Sequence, residues 1–186
     1  MRRVLSLLLT LLLLFGCTEG NTPQPEETGE PVIETPGETV AGLAAAILDS
    51  QEGREAYSLL SAEDIEFYLT QIYGVPADTM GLIYTVDGVD AREIAVLYTE
   101  GSENAAAALE TYRGERYGDF YGYAPDQAQL AQEGLVLENG GWAVLLLCSD
   151  PEAAREAIDK TYSELALHPY DPEEEAYDWT QYYDQR

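Results

Sequence analysis

Leu135-Val136-Leu137-Glu138-Asn139-Gly140-Gly141-Trp142-Ala143-Val144-Leu145-Leu146-Leu147-Cys148 is the stretch on which the reading of the fold turns. Asn-Gly is a favoured dipeptide for a two-residue hairpin turn, because both turn residues take positive φ there. Residues 135–137 and 142–148 are therefore predicted to be antiparallel arms about Asn139-Gly140, with Gly141 next. The second arm is a run of seven apolar residues. A strand wet on one side alternates in polarity, so an unbroken run reads as a central strand buried on both faces or mostly so. Cys148 ends that run, and the reading for it is a buried free thiol that behaves as a small hydrophobe.

Upstream, residues 80–86 and 94–98 are short, apolar and rich in branched and aromatic side chains. Joined through Asp87-Gly88-Val89-Asp90, they read as a first hairpin. The rest of the periodicity is helical. Val40, Leu43, Ala44, Ile47 and Leu48 share one face, Thr39 can cap that helix, and Gly53 follows its end. Ser61-Ala62-Glu63-Asp64 approximates a capping box and opens a second helix. Its stripe is Ile65, Leu69 and Ile72 with Tyr68 beside it, and Gly74 and Pro76 end it. A third helix runs from residue 102 to about 116, with Ala105, Ala108, Leu109 and Tyr112 inward. Ser149-Asp150-Pro151 begins a fourth, which extends to about residue 165 with Pro at the first helical position. The order α-α-β-β-α-β-β-α predicts an α+β domain over residues 40–168. Its expected sheet is four-stranded and antiparallel, built from two hairpins, with helices packed on one face.

The ends of the chain have a different character. Arg2 and Arg3 precede a short apolar run that closes on Leu14-Phe15-Gly16-Cys17. A basic start, a greasy core too short to span a bilayer and a small residue make a secretory leader over residues 1–16. Its ending on cysteine resembles the lipobox of bacterial lipoproteins. That resemblance implies a diacylglyceryl group, bearing acyl chains such as palmitate, on the thiol of Cys17 after cleavage behind Gly16. Residues 17–39 then read as the anchored cysteine and a Pro/Glu-rich tether that cannot offset its ordering entropy. At ~3.1 Å per residue in the polyproline conformation, such a tether reaches up to about 70 Å. Residues 169–186 form an acidic, Tyr-rich tail. The expected location is the extracytoplasmic face of a cell membrane, held by the lipid on Cys17.

Charge narrows the partners. The chain carries 35 acidic residues against 9 Lys and Arg, a formal net charge of −26. Nucleic acid is not a plausible partner, because affinity for phosphate comes from Lys and Arg neutralisation and counterion release. Adhesion to anionic headgroups is equally disfavoured. An acidic exterior attracts cations or basic partners weakly.

Most catalytic classes lack their residues. The one histidine, His168, lies in the turn Leu167-His168-Pro169, and a buried neutral Cys148 is unreactive, so no Ser-His-Asp or Cys-His constellation assembles. Neither does a His/Cys zinc site. Gly118-Asp119-Phe120-Tyr121-Gly122 lacks the spacing and the lysine of a phosphate loop. No cofactor, metal ligand or catalytic residue is assigned. Acidic side chains are numerous enough to supply a carboxylate pair for envelope hydrolysis, but spacing singles none out. Asp87, Asp90 and Glu93 at the first hairpin turn, and Asp171 with Glu173-Glu174-Glu175 in the tail, are the clusters a calcium-responsive protein would use.

Aromatic placement is more informative. Of 14 tyrosines, four lie in the tail with Trp179. Tyr117, Phe120, Tyr121 and Tyr123 crowd a glycine-bearing loop. Tyrosine among glycine and acid gives rigid, amphipathic contact area, so these four residues are the candidate binding surface for a protein or a glycan. The alternative is that the loop covers a face of the sheet.

Asp90-Ala91-Arg92-Glu93-Ile94-Ala95-Val96, the helix and tyrosine-bearing loop after it, and Gly141-Trp142-Ala143-Val144-Leu145-Leu146 together resemble the domain of unknown function 4358 family. Its members are lipoproteins of Gram-positive bacteria, and the resemblance covers about residues 40–164. It implies a cell-surface lipoprotein and brings no activity and no catalytic residue. Glu93 matches an acidic position of the family's strand motif and is read as structural. The expectation is a non-enzymatic binding or assembly module at the cell envelope.

The anchor is directly testable. Cys17→Ala should move the protein out of the detergent-extracted membrane fraction, because two acyl chains hold stably where one is marginal. Absence of lipid on Cys17 by mass spectrometry of the wild-type protein would refute the anchor.

Overall fold

The computed structural model describes residues 35–99 and 105–171. The leader, Cys17, most of the tether and nearly all of the acidic tail lie outside the described residues. Six strands form one antiparallel sheet in the order β1-β2-β3-β5-β4-β6. They are β1 (Tyr57–Leu59), β2 (Met80–Val86), β3 (Glu93–Tyr98), β4 (Leu135–Asn139), β5 (Trp142–Leu147) and β6 (His168–Pro169). Among the described residues there are five α-helices: α1 (Pro36–Asp49), α2 (Ala62–Phe67), α3 (Ala105–Phe120), α4 (Pro125–Glu133) and α5 (Pro151–Thr161). None of them is long and apolar enough to cross a membrane.

The four-stranded sheet covered on one face is thereby corrected: there are six strands, and helices lie on both faces. The reason is in β5 itself. Val144 and Leu146, with Trp142 at the margin, pack with Val40, Leu43, Ala44 and Ile47 of α1 and Ala154 and Ile158 of α5. Ala143, Leu145 and Leu147 point the other way, against Leu69, Tyr73 and the α3 residues Leu109 and Tyr112. Side chains of a strand alternate between faces, so a strand apolar at every position needs cover on both. The α1–α5 contact is close: a Cβ on Gly42 would collide with the Tyr162 hydroxyl.

The two extra strands are short edges. β1 pairs Tyr57 to Leu59 with Val86 to Tyr84, and β6 pairs only His168 and Pro169 with Glu138 and Leu137. Segments of three and two residues carry no readable alternation. Proline suits β6, since an edge strand leaves one side of its backbone unpaired.

Local chemistry explains most of the boundaries. α1 starts before Thr39: Thr35 caps it in a reciprocal box with Glu38, whose carboxylate accepts from the Thr35 N–H at 2.8 Å. The central hairpin turns on Gly140-Gly141, with Asn139 paired to Trp142. Both glycines have positive φ, 55° and 95°, as this tight turn requires. Asp150 caps α5 by accepting from the Ala153 N–H at 2.9 Å, and the helix ends at Thr161, short of residue 165.

α2 departs furthest from simple periodicity. It passes into a π-helical turn over Tyr68–Ile72, where the Tyr73 N–H reaches back five residues to the Tyr68 carbonyl at 2.8 Å. The inserted residue rotates the helix out of phase. Ile72, expected on the inner stripe, is 37% exposed, and Tyr73 is buried in its place.

Leu146 is fully buried between α1 and the sheet. Leu146→Ala should cost about 2–5 kcal/mol in urea unfolding. A loss under about 1 kcal/mol would contradict this packing.

Candidate functional site

Residues 90–96 lead into and form the start of β3, and they hold a polar cluster inside the core. Glu93, Ala95 and Leu97 point to the α2–α3 face, and Ile94 and Val96 point to the α1–α5 face. Glu93 is 3% exposed. Its carboxylate accepts from two phenols: Tyr112 of α3 donates to Oε2 at 2.9 Å, and Tyr73 donates to Oε1. The Tyr73 and Tyr112 rings meet edge to face, with centroids 4.9 Å apart. Burial pushes the Glu93 carboxyl above its ordinary range, against the opposing pull of the two phenols and of Arg116. The same burial, with the carboxylate alongside, raises both tyrosines.

Arg116 links this cluster to the surface. One guanidinium nitrogen donates to the Asp90 carbonyl at 3.0 Å and another to Asp119 at 3.1 Å, while the charge centre lies 4.8 Å from the Phe120 ring. Asp90 itself is paired with Arg92 at 2.7 Å. Beside it, the Ala91 N–H donates to Gln127 of α4 at 2.7 Å. The strand motif therefore fixes both α3 and α4 through polar contacts. Ala91 also joins the small core of Tyr117, Phe120, Ala128 and Ala131 that packs these two helices together.

The structure divides the four aromatic residues of the candidate binding surface. α3 extends to Phe120, so Tyr117 and Phe120 are helical and buried. Tyr121 and Tyr123 project from the short turn that follows, 41% and 65% exposed. Below them, between the end of α3 and the length of α4, lies an open groove of about 710 Å³. Tyr117 and Tyr121 contribute from the α3 end, their rings 5.6 Å apart, and Pro125, Gln129, Gln132 and Glu133 contribute from α4. That volume is within the ~300–1,000 Å³ of ordinary ligand sites.

Sequence reasoning had no part of α4, and hence missed most of this groove. Pro125 and Asp126 in a first helical turn, alanines at 128 and 131, and Gly134 beyond the end were the available signals. They are faint because only Ala128 and Ala131 of the helix are buried.

The acidic positions considered for cation binding do not converge. Asp90 faces Arg92, Glu93 is inside the core and Asp87 is in the exposed turn. Glu173 to Glu175 lie outside the described residues. Among the described residues no three His, Cys, Asp or Glu side chains are grouped so as to hold a metal ion. Cys148 is a buried free thiol whose pKa burial pushes up to about 12. His168 is exposed on β6. Compared with family models, with curated proteins and with solved structures, the chain finds no match in any of the three.

Glu93 has a measurable pH signature. Its folded pKa is above its unfolded value, so the folded state holds the proton more tightly, and stability falls as pH rises from the ordinary carboxylate range through the folded pKa. The stability of Glu93→Gln relative to wild type, from urea melts between about pH 4 and 8, should therefore increase with pH. A relative stability that decreases with pH would mean that the phenols and Arg116 outweigh burial. Glu93→Ala strands two buried hydroxyl donors and should cost about 1–3 kcal/mol for each.

Proposed function

We propose that this chain is a lipoprotein held through Cys17 on the extracytoplasmic face of a bacterial cell membrane, and that it works by binding or assembly at the envelope, not by catalysis. The likeness of residues 90–96 and 141–146 to the domain of unknown function 4358 family belongs to this reading. So does the leader that ends on cysteine. The observation that carries the binding role is the mounting of Tyr121 and Tyr123. Both are well exposed, yet they follow directly on a helix end locked by the buried Tyr117 and Phe120. Rigid aromatic groups beside a groove give contact area at a low cost in side-chain entropy. The buried carboxylate supports a structural role in this reading, since both its oxygens are taken by phenols.

The test is cross-linked capture from the organism's own membranes, using the anchored wild-type protein and the Tyr121→Ala and Tyr123→Ala variants. Captured partner should drop about tenfold in the variants while the melting temperature stays within a few degrees of wild type. Unchanged capture would sink the binding role of this surface. A large loss of stability in both variants would make the rings a cover for the core.

A further inference from the structure

The last described residues leave the sheet beside the α3–α4 groove. Pro169 pairs with Leu137, and the Tyr170 N–H donates to the Val136 carbonyl at 2.8 Å, so the chain runs antiparallel along β4 toward Leu135. Only Gly134 separates Leu135 from Glu133 of the groove wall. Tyr170 packs on the same side of the sheet as Val136, Leu109 of α3 and Leu130 of α4. The exit thus lies on the face that carries the groove, at its Gln132–Glu133 end. Pro172 comes next; it has no N–H to give a ladder and favours an extended Asp171, so strand pairing stops there.

Residues 172–186 lie outside the described residues, and their sequence carries a pattern suited to this wall. Tyr177 and Trp179 are separated by Asp178. In an extended segment alternate residues share a side, so the two rings fall on one edge about 7 Å apart and Asp178 falls on the other. We propose that this segment of the chain occupies the groove, running from the Glu133 end toward Pro125 with Tyr177 and Trp179 turned in over Ala128, Pro125 and Tyr117 and Asp178 turned to water. Reach is ample. From Asp171 to Trp179 an extended chain spans up to about 26 Å, whereas the nine residues of α4 are about 13 Å long. Covalent attachment so close to the groove gives the segment a high effective concentration there, ahead of any occupant from solution. The attraction is apolar: large rings leave water for a wall of aromatic, proline and alanine surface. Charge works against it, since segment and domain are both acidic, and extra carboxylates on the wall should expel the segment.

The experiment follows Trp179 in the full chain in detergent micelles, with Trp142→Phe leaving it as the sole tryptophan. Acrylamide should quench Trp179 about threefold less readily than in the urea-unfolded chain, because a ring held in the groove is shielded from solvent. Gln129→Glu combined with Gln132→Glu, both exposed positions on the wall, should raise quenching to nearly the unfolded level while the melting temperature stays within a few degrees. Lys160→Glu makes the same change in charge on α5, which covers the opposite face of the sheet, and should leave quenching unaltered. A Trp179 quenched as in the unfolded chain overturns the proposal. So does a protected Trp179 that ignores the wall charges, which would place the segment elsewhere, or one that answers equally to Lys160→Glu. Protection that disappears on dilution also overturns it, since the segment would then come from a second copy. Hydrogen exchange gives an independent reading in the native background: truncation after Asp171 should speed exchange of the α4 amides about fivefold and leave α5 unchanged, and equal α4 exchange with and without the segment overturns the proposal. The binding role proposed above is decided separately, by capture with the Tyr121 and Tyr123 variants.

Discussion

The structure depends on burying β3 and β5 on both faces. Every residue of β5 after Trp142 is buried, and so is every residue of β3 before Tyr98. Two adjacent strands of that kind cannot face water anywhere, so each face must recruit helices. α1 and α5 close one side, and α2 and α3 close the other. At roughly 25 cal/mol per Å² of apolar surface, such burial is the dominant favourable term in a chain without a disulfide among its described residues. It also tolerates the strongly acidic exterior, because charge repulsion acts at the surface and leaves the sheet's two apolar layers intact.

Among the described residues Glu93 is the acidic side chain buried inside this double core, and its position gives it a purpose in the architecture. A lone buried carboxylate would be costly, but two phenols donate to it and Arg116 faces it electrostatically. These partners come from separate parts of the chain: Tyr73 follows the π-turn after α2, whereas Tyr112 and Arg116 are on α3. An apolar residue at position 93 would fill space without specifying which helix lies where. The carboxylate selects an arrangement in which both helices present a donor. Through Arg116 and the neighbouring Asp90 and Ala91, the same strand end sets α4 against α3, which creates the groove under Tyr121. The groove between α3 and α4 is thus linked to a buried polar contact.

The hairpins, the four other helices and the alternation within β5 were legible in the sequence because each rests on local chemistry. The Asn-Gly-Gly run announces a turn, which the sequence pattern centres on Asn139-Gly140 and the structure places one residue later, on Gly140-Gly141; Asp150 and Pro151 open a helix, and seven apolar residues announce a buried strand. The single-sided cover was an inconsistent expectation, since a strand without alternation already demands two helical layers. β1 and β6 were not legible, being too short to show a period. Neither was α4, whose buried face is two alanines. Of the aromatic surface, the sequence located the cluster but could not tell Tyr117 and Phe120 from Tyr121 and Tyr123. Their separation depends on α3 continuing to Phe120, with its last turn packed against Ala91 and α4.

By itself the sequence determined the order of the main elements, the identity of the central strand and the acidic character of the surface, all of which follow from near-neighbour sterics, periodicity and charge counting. Only the tertiary structure decided which residue the π-turn buries (Tyr73 in place of Ile72), the buried carboxylate with its phenols and the groove along α4. Each of these depends on contacts between residues well separated in the chain, such as Tyr73 with Glu93 and Ala91 with Gln127. Pairings at that distance are selected by packing and by the cost of leaving a buried polar group unmet, and no local pattern in the chain encodes them.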